Sequence, residues 1–142
     1  MTSEVNFMVG GEAGQGVQTV GFILAKTMAR EGLYVFADQD YESRVRGGHN
    51  FFRVRASNID VQALSKYLDI LIAIDQPTVE LHHQEVKEDG IIIFDPDKLN
   101  TKGKKAKGIG IPMERLAEET TSNKLMTNTV GVGNFPYQKN DS

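Results

Sequence analysis

Two short apolar runs constrain this chain more than any other feature. Ile70 to Ile74 is continuously apolar and bounded by Asp69 and Asp75, and Ile91 to Phe94 is bounded by Gly90 and Asp95. Runs this short, stopped at both ends by residues that resist burial, fit central strands buried on both faces. Pro77 lies between them where a first helical turn accepts proline, so a helix is expected from there to about Lys87. Asp75 is placed to cap that helix, and Asp95, followed by Pro96, to start a turn. A strand, a helix and a second buried strand make a parallel crossover unit.

The rest of the chain extends the same pattern. Val5 to Val9 reads as a strand that runs into the glycine-rich stretch Gly10 to Gly16. A helix then spans Val17 to Arg30, with Val17, Val20, Leu24 and Met28 on one apolar stripe and Gly32 as its stop. Leu33 to Ala37 is a second strand, and the polar stretch Asp38 to Gly48 reads as a loop. From Phe51 to Ala56 the residues alternate, with Phe52, Val54 and Ala56 on the inner side of a half-exposed strand. Gly108 to Ile111 and Met113 to Thr121 read as a last strand and helix. The expected fold is α/β, a mostly parallel, doubly wound, Rossmann-like three-layer sheet. One domain over residues 1–133 and a loose tail over 134–142 suit a chain of 142 residues.

Composition removes several functions. The chain has no cysteine, which excludes disulfides, zinc-thiolate sites and any iron–sulfur cluster held by its own thiolates. It has no apolar run long enough to span a membrane and no signal-peptide pattern at its start, so a cytoplasmic address and no membrane partner are expected. A net charge of -3 argues against a general nucleic-acid binder. The lysines at 98, 102, 104, 105 and 107 are read as a solvated loop. His82 and His83 are adjacent, so on a helix they diverge by about 100° and do not share a metal easily; both are expected at the surface. His49 either touches a ligand or only shapes a turn. No metal site and no catalytic triad or carboxylate pair is expected.

Two polar stretches carry the functional signal. Gly11, Gly14 and Gly16 are spaced G-x-x-G-x-G between a strand and a helix start. Such a turn exposes backbone N–H groups at the positive end of a helix, which suits a phosphate. The spacing is neither the dinucleotide fingerprint nor the P-loop, and a tight turn without a ligand remains open. Tyr41 to Gly48 holds Arg44 and Arg46 beside Gly47 and Gly48, where forked hydrogen bonds could grip phosphate or carboxylate. Arginines paired in solvent to Glu42 or Asp40 are the alternative, and such pairs contribute only about 0–1 kcal/mol. Both stretches should emerge at the carboxyl ends of the strands, where open α/β sheets bind ligands.

Taken together, Gly11-Glu12-Ala13-Gly14-Gln15-Gly16-Val17-Gln18-Thr19-Val20-Gly21 and Tyr41-Glu42-Ser43-x-x-Arg46-Gly47-Gly48-His49-Asn50 resemble the two motifs of the gamma-type domain of 2-oxoacid:ferredoxin oxidoreductases. The resemblance covers about residues 4–133. The Gly-Gly-His-Asn ending is more similar to the version fused at the N-terminus of a large alpha subunit. It implies a component of an enzyme that joins a 2-oxoacid, coenzyme A and oxidised ferredoxin to give acyl-CoA, carbon dioxide and reduced ferredoxin. Thiamine diphosphate and [4Fe-4S] clusters would sit in partners, the thiamine-binding alpha and beta subunits and a ferredoxin-like subunit. By the same resemblance Gly11, Gly14, Gln15 and Gly16 would meet the phosphates of coenzyme A, with Ser43, Arg44, Arg46 and Gly47 adding contacts. No catalytic residue is implied, and the chain alone is expected to be inactive. A pure assembly module of the same complex, binding no ligand, is the alternative. After the Asn128 to Gly133 stretch, Asn134-Phe135-Pro136-Tyr137 and a polar tail replace the family's apolar helix. The resemblance therefore implies a shortened domain whose bared surface could drive self-association.

Overall fold

The computed structural model describes residues 3–12, 16–41 and 48–121. The elements run β1 (Glu4–Glu12), α1 (Val17–Arg30), β2 (Tyr34–Tyr41), β3 (His49–Ser57), β4 (Leu68–Ala73), α2 (Gln76–His82), a 3-10 turn (His83–Glu85), β5 (Val86–Phe94), β6 (Lys107–Gly110) and α3 (Met113–Thr121). The strands form one sheet in the order β2-β3-β1-β4-β5-β6. The pairs β1–β4, β4–β5 and β5–β6 are parallel, while β3 runs antiparallel to both β1 and β2. The mostly parallel sheet is therefore as expected, with β3 alone reversed.

Helices lie on both faces, giving three layers. Along β1 the side chains alternate: Phe7 and Val9 pack with Val17, Leu24 and Ala25 of α1 and with Phe52 and Val54 of β3. Met8 faces the other way, into a cluster with Leu71, Ala73, Val79 of α2, Ile92 and Leu99. Two glycines permit close approach. A Cβ on Gly21 of α1 would meet the Phe52 ring at 2.4 Å, and one on Gly10 of β1 would meet Thr78 Cγ2 of α2 at 2.6 Å. Gly32, at φ +92°, adopts the left-handed conformation expected of a helix stop.

Four expectations need correction. β1 does not stop at Val9; Gly10, Gly11 and Glu12 pair with Phe51, Asn50 and His49. β2 takes in Asp38 to Tyr41, read as loop, because β3 offers a free edge and an edge strand tolerates polar residues. α2 ends at His82 rather than near Lys87, because Val86 turns extended and pairs with Leu68. Finally, β4 and β5 are not buried equally on both faces. Leu71, Ala73 and Ile92, on the α2 side, are fully buried. Ile70, Ile72, Ile91 and Ile93 are only half-buried, because α1 packs over β1, β2 and β3 instead.

Candidate functional site

The register brings the ends of the two motif stretches together. β1 leads into the glycine stretch at Glu12, and Glu12 lies opposite His49, the residue where β3 leaves the arginine stretch. On the other side of β3, Tyr41 lies opposite Asn50. The short connection from β2 to β3 thus returns to the rim from which the glycine stretch departs. β4 and β5 end on this rim too, with Ile74 N–H donating to Gly10 O at 2.9 Å and Ile111 N–H to Phe94 O at 2.8 Å.

Gly16 closes the glycine stretch in the left-handed conformation, φ 83°, and is the N-cap of α1. Among the described residues no side chain caps that end, and its first turn holds no acid. A fourteen-residue helix therefore presents its N–H groups and positive end to the rim. Gly11 does not belong to the turn; it is the penultimate residue of β1 and is buried. Gly14, Gln15, Ser43, Arg44, Arg46 and Gly47 fall outside the described residues. Of the candidate site residues, the structure therefore places Gly11 and Gly16, both at this rim.

The aspartates at the strand ends act as anchors. Asp75 Oδ1 accepts from Thr78 N–H at 3.0 Å and from the Thr78 hydroxyl at 2.6 Å, capping α2. Asp95 is buried; its Oδ1 accepts from Asp97 N–H and its Oδ2 from Glu114 N–H, tying a turn to the start of α3.

One constellation escaped the sequence reading. His82 is not at the surface: its Nε2 lies 2.9 Å from His49 Nε2, and its Nδ1 2.6 Å from Glu85 Oε2. Glu85 also pairs with Arg53. Nothing in the sequence links positions 33 apart; the only signal was that His49 is the penultimate residue of the second motif. Arg55 pairs with Glu4, so Arg53 and Arg55 are both committed to structural ion pairs. Among the lysines, Lys104 bridges to Glu80 and Lys98 to Glu114.

The comparisons with known proteins decide the family. Residues 6–138 match the family described as pyruvate ferredoxin/flavodoxin oxidoreductase. The chain belongs to that family. It is 27% identical to the 2-oxoglutarate synthase subunit KorC of Archaeoglobus fulgidus, over 94% of this chain and 70% of that protein. It is 28% identical to the 2-oxoacid:ferredoxin oxidoreductase subunit alpha of Saccharolobus solfataricus, over 74% of this chain. The chain spans only 16% of the length of that subunit. Among solved structures, the fold matches the 2-oxoglutarate:ferredoxin oxidoreductase of Magnetococcus marinus, which has 2-oxoglutarate, coenzyme A and succinyl-CoA bound. The TM-score is 0.78 at 24% identity, over 92% of this chain and 23% of that one. It also matches the gamma subunit of a keto/oxoacid ferredoxin oxidoreductase from Geobacter sulfurreducens, with TM-score 0.72 at 22% identity, over 91% of this chain and 73% of that one. Among the described residues, no helix is long and apolar enough to cross a membrane.

Proposed function

We propose that this chain is the gamma-type component of a 2-oxoacid:ferredoxin oxidoreductase and that its glycine and arginine stretches receive the phosphates of coenzyme A. The complete enzyme would convert a 2-oxoacid, coenzyme A and oxidised ferredoxin to acyl-CoA, carbon dioxide and reduced ferredoxin. Thiamine-binding subunits and a ferredoxin-like subunit would supply thiamine diphosphate and the [4Fe-4S] clusters, since this chain has no cysteine to hold a cluster. Its own work is binding and positioning. Backbone N–H groups of Gly14, Gln15 and Gly16 and the first turn of α1 would meet phosphate oxygens, with Ser43, Arg44, Arg46 and Gly47 closing on them.

The observation that carries this reading is the register Glu12–His49 and Tyr41–Asn50, which brings the described ends of both stretches to one rim beside the start of α1. The reading is tested by titrating coenzyme A into the chain, alone and mixed with its thiamine-binding subunit. Gly14→Val and Arg44→Ala should each weaken binding by about tenfold or more, because each removes backbone approach or a charge-assisted bond. Undiminished binding in both variants contradicts the site.

A second reading, an assembly module without a ligand, draws on the half-buried isoleucine face of β4 and β5, where partly exposed apolar surface suits a partner or a second copy. It predicts tight capture of the thiamine-binding subunit and no heat of binding with coenzyme A in either mixture.

A further inference from the structure

The rim holds a second set of side chains that neither motif explains. The His49 and His82 rings lie 5.0 Å apart between centroids at an interplanar angle of 25°, with their Nε2 atoms 2.9 Å apart. Phe51 stands edge-on to His82 at 5.6 Å. The His82 side chain is only 12% exposed.

Hydrogen-bond accounting limits how this pair can be charged. The Glu85 carboxylate accepts at His82 Nδ1, so that nitrogen carries a hydrogen. Between the two Nε2 atoms one ring must donate and the other accept. Either neutral His82 accepts from His49, or protonated His82 donates to a neutral His49. With both rings protonated, two N–H groups and two positive rings would face one another at contact distance. Glu85 does not absorb this repulsion fully, since Arg53 already neutralises it. Among the described residues, the other charged groups on the neighbouring elements are Glu12 on β1, opposite His49, His83 next to His82 in the chain, and Asp75, which is engaged with Thr78.

The position of His49 gives the pair its consequence. It follows Gly48 where the chain re-enters the sheet, and its Cε1 lies 3.4 Å from where a Cβ on Gly10 would sit, beside Thr78. It therefore touches the anchor of both motif stretches. We propose that His49 and His82, held by Glu85 and Arg53, form a one-proton clamp that positions the rim, engaged while a single proton lies between the Nε2 atoms and released when both rings are protonated. The two histidines are positioning residues, acting on a ligand through β1 and β3.

The clamp is tested on the 15N-labelled chain without ligand. The imidazole nitrogens and the amides of Gly10, Gly11, Glu12, Gly48 and Asn50 are followed from about pH 8 to about pH 5.5, the range in which free imidazole takes its proton. In the wild type, the rim amides should move together as the second proton arrives. In His82→Gln, whose amide can still join Glu85 to His49 but does not titrate, the amides of Gly10 and Gly11 should hold still while the fold persists, and only Gly48 and Asn50, the chain neighbours of His49, should follow its ring. Rim amides that ignore the histidine titration, or that titrate unchanged in His82→Gln, overturn the clamp. A coenzyme A titration at both ends of the range tests its consequence, which rests on the ligand reading above. Wild-type affinity should fall about tenfold more than that of His82→Gln at the acid end. No binding at either pH sinks the coenzyme reading, while the ring and amide signals still decide the clamp.

Discussion

Single residues set the spacing of this fold, and glycine does so at two helix–sheet contacts. Gly21 lets α1 settle on the Phe52 ring, so a Cβ there meets a side chain packed in the core. Gly21→Ala should cost about 1–3 kcal/mol, the usual cost of overpacking, in spite of alanine's better helix propensity. Urea unfolding of the variant measures this. Asp75 is the other informative residue. Replacing it with alanine removes both bonds to Thr78 and should cost about 1 kcal/mol, as for other helix N-caps. The cap was readable in the sequence because an acid stood two residues before Pro77 at a helix start. Gly21's role was not readable, because only the fold reveals that Phe52 lies beneath it. The His49–His82–Glu85–Arg53 chain was hidden for the same reason: its members come from β3, α2 and the 3-10 turn, and no periodicity joins them.

At the scale of elements, α1 and α3 were placed to the residue, α1 because its amphipathic stripe ends at a glycine. The strands were legible in kind but not in length or direction. β3 could have been recognised as antiparallel, since no helical stretch separates Ala37 from Phe51 and a parallel crossover usually carries a helix. The uneven burial of β5 was not legible, because Ile91, Ile92 and Ile93 are identical as residues. It makes a clear prediction. Ile92→Ala, at a fully buried position, should cost about 2–5 kcal/mol, whereas Ile93→Ala should cost clearly less. Equal losses in thermal or chemical unfolding would mean that the α1 side of β5 is covered after all.

The whole molecule separates stability from function by rim. The rim opposite the motif stretches is tied by charge. Asp69 accepts from Asn6 N–H and Lys87 Nζ, each at 2.8 Å, and Glu4 meets Asn6 and Arg55. Burial pushes the Asp69 carboxyl up, but the hydrogen bonds from Lys87 and Asn6 outweigh it and hold it below the usual carboxylate range. Glu4 is likewise held low, first by the Asn6 hydrogen bond and then by Arg55. Both acids therefore stabilise the fold above the unfolded carboxylate range of about 4, and that contribution is lost as pH falls further. Asp69→Asn should flatten the acid limb of a stability–pH curve, and an unchanged limb would show that this rim is not what acid unfolds. The motif rim is tied by backbone register and by the His49–His82–Glu85–Arg53 chain, and among the described residues no side chain caps the start of α1. The proposed phosphorylated thiol carrier meets this rim at the start of α1. The most direct measurement is a map of backbone amide shifts as coenzyme A is added to the chain together with its unlabelled thiamine-binding subunit. Gly11, Gly16, Val17, Gln18 and Gly48 should move while Asn6, Asp69 and Lys87 stay in place. Shifts confined to the Asp69 rim, or none at residues 11–18, would contradict it.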